Sequence, residues 1–111
     1  MTDCVFCGIA SGAIGATIVA EADDWVAFRD LEPQAPVHVL VVPRAHVSSL
    51  AAMSEGPLGT QLLLACAAVA DSEGLDGGYR VVTNVGGDGG QAVPHLHFHV
   101  LGGRRMGWPP G

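Results

Sequence analysis

Three of the chain's five histidines fall within five residues, in the segment Pro94-His95-Leu96-His97-Phe98-His99-Val100-Leu101. Side chains alternate along a strand, so an extended backbone here puts His95, His97 and His99 on one face. Leu96, Phe98 and Val100 then take the other face, towards a core. One histidine would suit the polar side of a half-buried strand; three point to chemistry. Two kinds are open. Imidazole is the commonest metal ligand at neutral pH. Neutral imidazole also attacks phosphorus, and neighbouring rings can hold its tautomer and stabilise charge. Just upstream runs the loop Asn84-Val85-Gly86-Gly87-Asp88-Gly89-Gly90-Gln91. Glycine admits close backbone approach, and successive N–H groups form an anion nest. Beside a histidine-lined strand, the loop reads as facing phosphate. It is neither a Walker loop, having no GKS or GKT, nor a dinucleotide fingerprint opening a helix.

Cys4-Val5-Phe6-Cys7 is a CxxC pair. A closed tetrahedral zinc site needs two more ligands. There is no second pair, so histidine must supply them, from His38, His46, His95, His97 and His99. Cys66, the third cysteine, sits among apolar residues and reads as core. An odd cysteine count argues against a disulfide framework. Asp30 ends an apolar run before a proline-rich loop; it is a turn carboxylate or an acceptor for a ribose diol. Trp108 has no evident core slot, which leaves a pocket or a second subunit to take it.

The elements that must position these residues form one domain spanning 1–111. Strands are expected over 16–21, 25–29, 37–42, 79–84 and 95–101. The run Val37-His38-Val39-Leu40-Val41-Val42, ending at Pro43, suits a strand buried on both faces. Leu58, Leu62, Ala65, Cys66 and Val69 share one face of a helix that Pro57 can open and Gly74 can close. A helical turn near 4–10 and a short helix over 48–53 complete the set. One long helix, a short N-terminal helix and five strands joined mainly by short turns make an α+β fold with a five-stranded antiparallel sheet.

Composition narrows the function. Asp plus Glu number 11 against 5 basic residues, a net charge of −6, and every basic residue is Arg. Lacking Lys, the chain cannot form a Schiff base. Scattered cations argue against duplex nucleic acid as a partner. The longest apolar run, 62–70, is too short to cross a bilayer. No basic n-region followed by an apolar stretch opens the chain, so a cytoplasmic protein is expected, without a membrane partner.

The triad segment has the order His, apolar, His, apolar, His, apolar, apolar. With it the chain resembles the histidine triad (HIT) family of nucleotide hydrolases and transferases. The likeness covers nearly the whole chain. Asp30-Leu-Glu-Pro-Gln-Ala-Pro-Val-His38 matches the stretch before the third strand, and Gly90-Gln91 precedes the triad as expected. Leu101-Gly-Gly-Arg-Arg-Met-Gly-Trp-Pro-Pro-Gly111 is similar to the end of the Hint branch, the purine nucleoside phosphoramidases.

The resemblance implies a homodimer joined through the long helix and a sheet edge. It implies that His97 is the nucleophile towards the α-phosphorus and forms a nucleotidyl-histidine that water releases. His99 and His38 would contact the phosphate and hold the site together. Asp30 would bind the ribose, with Phe28 and Leu31 beside the base. Asn84, Gly90, Gln91, Ala92 and Val93 would line the phosphate and leaving-group side, and Trp108 would cover the leaving group. Zinc-containing bacterial members take their ligands from a CxxC pair, a histidine after the third strand and the first triad histidine. Those positions are Cys4, Cys7, His46 and His95, which implies a structural Zn2+.

This sequence departs from the family at Ala92, where Ser or Thr is usual; at Pro94, where an aromatic is common; and at Val85, often polar. Ala92 cannot hydrogen-bond to a phosphate or a leaving amine. The expected activity is cleavage of the P–N bond of purine nucleoside 5′-phosphoramidates. The alternatives are nucleotidyl transfer, dinucleoside polyphosphate hydrolysis, and nucleotide binding with decayed activity.

Overall fold

The computed structural model describes residues 4–111. Helix α1 (Val5–Ser11) is followed by strands β1 (Ile18–Glu21), β2 (Trp25–Arg29) and β3 (Val37–Pro43). A single 3-10 turn (Leu50–Ala52) leads to the long helix α2 (Leu58–Ser72), then to β4 (Tyr79–Val82) and β5 (Phe98–Gly102). The five strands form one antiparallel sheet in the order β1-β2-β3-β5-β4. The expected α+β architecture is the one observed.

Each face of the sheet has its own core. Helix α2 lies on one face and buries Leu62, Ala65, Cys66, Val69 and Ala70 against Ala27, Val39, Val41, Phe98 and Val100. This is the helical stripe read from the spacing. The bidentate ion pair of Arg29 with Glu73 fastens the far end of α2 to β2, at 2.8 and 3.1 Å. Cys66 is 1 % exposed, and burial pushes its thiol up to about 11. On the other face α1 inserts Phe6 over Val26, Phe28, Leu40 and Val42. Strand β3 is therefore buried on both sides, as the apolar run from Val39 to Pro43 requires.

Strand ends differ from expectation for identifiable reasons. The alternation over 95–101 holds, with Leu96, Phe98 and Val100 in the α2 core. The ladder, however, begins only at Phe98, opposite Val41. Beyond that pair β3 runs into Pro43, which has no N–H to offer, and the Leu96 N–H pairs with the Val47 carbonyl instead (2.6 Å). Strand β4 stops at Val82, because the Thr83 hydroxyl rather than a backbone group donates to the His97 carbonyl (2.8 Å). Strand β1 starts at Ile18 rather than residue 16. Some apolar side chains stay open on the helix and on the sheet edge. Leu63 and Leu64 are exposed on the outer side of α2, and Tyr79 and Val81 on the edge strand β4.

Candidate active site and metal centre

The three triad histidines diverge at Pro94. The His95 N–H donates to the Val93 carbonyl at 2.9 Å, closing a three-residue turn centred on that proline. The ring-imposed φ of proline fits the central position of such a turn. His95 is thereby turned away from the other two rings and is fully buried. Its Nε2–H donates to the Pro43 carbonyl at 2.9 Å, which leaves Nδ1 as a lone-pair donor.

That Nδ1 faces sulfur. It lies 3.3 Å from Cys4 Sγ and 3.5 Å from Cys7 Sγ, and His46 Nδ1 lies 3.3 Å from Cys7 Sγ. All four donor atoms fall within 4.8 Å of one another. Zn–S and Zn–N bonds of about 2.3 and 2.0 Å at the tetrahedral angle give S···N edges of about 3.5 Å. The three S···N distances above, 3.3, 3.5 and 3.3 Å, match such edges. Cys4 caps α1, accepting the Cys7 N–H at 3.4 Å, so one helical turn sets both sulfurs. Burial and the neighbouring Cys4 sulfur hold the Cys7 thiol above its ordinary value. A divalent cation reverses that sign and makes both sulfurs thiolates. Donor types, spacing and the outer hydrogen bond all fit a closed tetrahedral zinc site. Its chemistry would be structural, because four protein ligands leave no open position.

His97 and His99 stay together, with ring centroids 5.1 Å apart at an interplanar angle of 63°. His97 Nδ1–H donates to the His95 carbonyl at 2.7 Å, so Nε2 keeps its lone pair. The ring is held from the side by Phe6, edge-on with centroids 5.1 Å apart. A second chain of hydrogen bonds reaches His99. The Gln34 N–H donates to His38 Nδ1 (3.0 Å), which puts the His38 proton on Nε2. His38 Nε2 lies 2.9 Å from His99 Nδ1 and donates to it, which puts the His99 proton on Nε2. Asp30 Oδ2 lies 3.4 Å from His38 Nε2, and its Oδ1 accepts the Glu32 N–H at 2.8 Å. Asp30, His38 and His99 also lie close enough to share a cation. The direct His38–His99 bond occupies the donors that a cation would need.

Burial sets the charge of this pair. It pushes His99 down to about 4, with His97 and His38 acting in the same direction and Asp30 opposing. Burial also lowers His38, against the pull of Asp30. Burial thus favours the neutral form of both rings. The site can therefore present one bare imidazole nitrogen and one N–H donor side by side, with each tautomer set by a backbone group.

The other expected site residues are spread around this centre. Phe28 is buried under Phe6, with ring centroids 5.5 Å apart. Leu31 is 96 % exposed on the loop after β2. Asn84 is half-buried where β4 runs out, and Ala92 is exposed. Val93 packs against the Phe6 cluster. The Gln91 amide is spent on the loop: Oε1 accepts the Gly86 N–H, and Nε2 donates to the Ser48 and Val93 carbonyls. The N–H groups of Gly90 and Gln91 also close on the loop, onto Gly87 and Gly86. The anion nest expected along the whole glycine run is thus narrowed. Trp108 is 84 % exposed on the C-terminal tail, which Arg80 holds through the Gly107 carbonyl at 2.6 Å. Phe6, Gln34 and Thr83 support the site and were not singled out from sequence. Phe6 alone carried a signal, as the aromatic inside the CxxC pair.

Fold and site together define an α+β domain with a paired-histidine centre beside a Cys2His2 cluster. The HIT domain family matches residues 11–106. An uncharacterised HIT-like protein of Synechococcus elongatus is 50 % identical over 98 % of this chain and 97 % of its own length. The 14 kDa zinc-binding protein of Brassica juncea is 43 % identical over 98 % of this chain and all of its own length. The crystal structure of a HIT family hydrolase from Legionella pneumophila superposes with a TM-score of 0.95 at 46 % identity, covering 98 % of this chain and 100 % of that one. The chain belongs to the HIT family.

Proposed function

We propose that this protein is a Hint-type phosphoramidase that cleaves the P–N bond of purine nucleoside 5′-phosphoramidates. The observation that carries the reading is the 2.7 Å bond from His97 Nδ1–H to the His95 carbonyl, which leaves Nε2 bare beside the N–H of His99. His97 Nε2 attacks the α-phosphorus. A P–N bond forms to His97 while the bond to the leaving amine breaks, and the amine takes a proton from solvent as it departs. The His95 carbonyl supports the imidazolium that develops, because Nδ1–H still donates to it. Water then attacks phosphorus and returns a proton to solvent, the His97–P bond breaks, and the nucleoside monophosphate leaves. His99 Nε2–H donates to a phosphate oxygen in both steps, and His38 holds its tautomer. Splitting one hard displacement in two is the gain of covalent catalysis.

Asp30 keeps lone pairs on both oxygens for a ribose diol, with Leu31 and Phe28 on the base side. Asn84, Gly90 and the backbone of Gln91, Ala92 and Val93 line the phosphate and leaving-group side. Zn2+ on Cys4, Cys7, His46 and His95 holds α1 to the turn that carries the triad. Reduced cysteine ligands suit a cytoplasmic setting. A homodimer would cover Leu63 and Leu64 of α2 and pair the β4 edge at Tyr79 and Val81, bringing the exposed Trp108 towards the partner's site.

The test is AMP release from adenosine 5′-phosphoramidate, measured beside a His97→Ala variant. Turnover that disappears in the variant is the expected result. AMP binding without turnover in either protein would overturn the hydrolase reading and leave nucleotide binding, the alternative that Ala92 favours.

A further inference from the structure

The loop between β2 and β3 carries the group that sets the His38 tautomer, yet it holds itself together mainly by local bonds. Asp30 Oδ1 accepts from Glu32, the Gln34 side chain donates to the Glu32 carbonyl, and the Asp30 N–H donates to the His38 carbonyl. Among the described residues one hydrogen bond ties residues 31–36 to a distant part of the chain. Arg104, just beyond β5, donates from Nε to the Gln34 carbonyl at 3.1 Å. The approach is built into the backbone. Gly103 has a φ of +88°, and a Cβ there would lie 2.9 Å from Pro36 Cβ, so only glycine brings this segment onto the loop.

We propose that Arg104 is a positioning residue for the His38–His99 pair, acting through the backbone of Gln34. Arg104 fixes the Gln34 carbonyl, and the Gln34 side chain is fixed on Glu32. The Gln34 N–H is then left aimed at His38 Nδ1. A donor at that nitrogen requires a lone pair there, so the His38 proton sits on Nε2 and the His99 proton on Nε2 in turn. Releasing Gln34 removes the bias between the two His38 tautomers. A population of His38 with its proton on Nδ1 cannot donate to His99, and His99 then loses its fixed N–H towards the substrate.

The experiment uses zinc-loaded protein labelled with 15N at histidine. In the parent, His38 and His99 should each show one protonated and one unprotonated ring nitrogen. Arg104→Ala should move both rings towards averaged 15N shifts. Weakening the neutral His38–His99 hydrogen bond should lower kcat about three- to tenfold with little change in KM. Arg104→Lys, which keeps one donor, should recover part of both, and Arg105→Ala should leave both unchanged. Unaltered His38 and His99 shifts in a folded Arg104→Ala protein would overturn the proposal. The kinetic arm rests on the phosphoramidase reading and the 15N arm does not, so failure of one is distinguishable from failure of the other. If the alanine variant does not fold, Arg104→Gln and Arg104→Lys carry the same 15N comparison.

Discussion

Removing the metal should loosen two things at once, and Cys7→Ser is the perturbation that isolates them. The cluster ties the first helical turn, through Cys4 and Cys7, to His46 after β3 and to His95 before β5. Beside it these segments share a small core around Phe6 and three hydrogen bonds, from Arg44 to the Ala10 carbonyl, from His95 to the Pro43 carbonyl and from the Leu96 N–H to the Val47 carbonyl. With free zinc about a hundredfold above its dissociation constant, binding to the native state adds about 2.7 kcal/mol. For a domain near 100 residues, about 4–8 °C of melting temperature accompanies each kcal/mol. The variant should therefore melt about 10–20 °C below the zinc-loaded parent. Chelating the parent should produce the same fall, and chelating the variant almost none. Circular dichroism melts with metal content measured in parallel make the assay. Phosphoramidate turnover should drop as well, at a temperature where both proteins are folded, because the carbonyl that holds His97 belongs to His95. A parent shown to carry one zinc per chain, yet melting at the same temperature after chelation, would refute the reasoning.

Stability should fall on acidification between pH 6.5 and about 4, the interval between the unfolded and folded values of His99. There the unfolded chain binds the proton that the folded ring refuses, so stability is full above 6.5 and lost below it. The ceiling for His99 is about 3 kcal/mol, reduced to about 1–2 by solvent at the ring edge; urea unfolding at several pH values should show this slope, and His99→Asn should reduce it, leaving the part that His38, lowered in the same direction, contributes. Leu62→Ala removes a fully buried side chain from the α2 core. It should cost about 2.7–5 kcal/mol in denaturant unfolding. A Cβ on Gly89 would run into the Val85 carbonyl. Gly89→Ala should therefore distort the loop and raise KM for the phosphoramidate while leaving the melting temperature near that of the parent.

Much of this arrangement was legible from residue order, because the strongest signals were periodic. Leu96, Phe98 and Val100 alternate with the histidines, and α2 repeats its apolar residues at helical spacing. Both patterns are fixed by burial, and both appear where expected. The zinc ligands were reachable only through the family pattern, since spacing alone left five histidines competing for two places. What stayed hidden was set by contacts between distant backbone groups. No local preference announces that Pro43 gives its carbonyl to His95, that Thr83 ends β4 on the His97 carbonyl, or that Gln34 faces His38. Gln91 has a side-chain role that residue order does not announce. Its side-chain amide braces the loop that precedes the triad.

The burial of Cys66 gives the molecule an internal gauge. Its thiol is sealed in the α2 core and held at about 11, so it stays silent towards alkylating reagents for as long as the domain is folded. Cys4 and Cys7 answer to the metal instead. A thiol count on intact protein should read none when zinc is bound and two when it is stripped, rising to three only on unfolding. One colorimetric titration thus separates a chain that has lost its ion from one that has lost its fold. Melting curves and activity assays merge those two events.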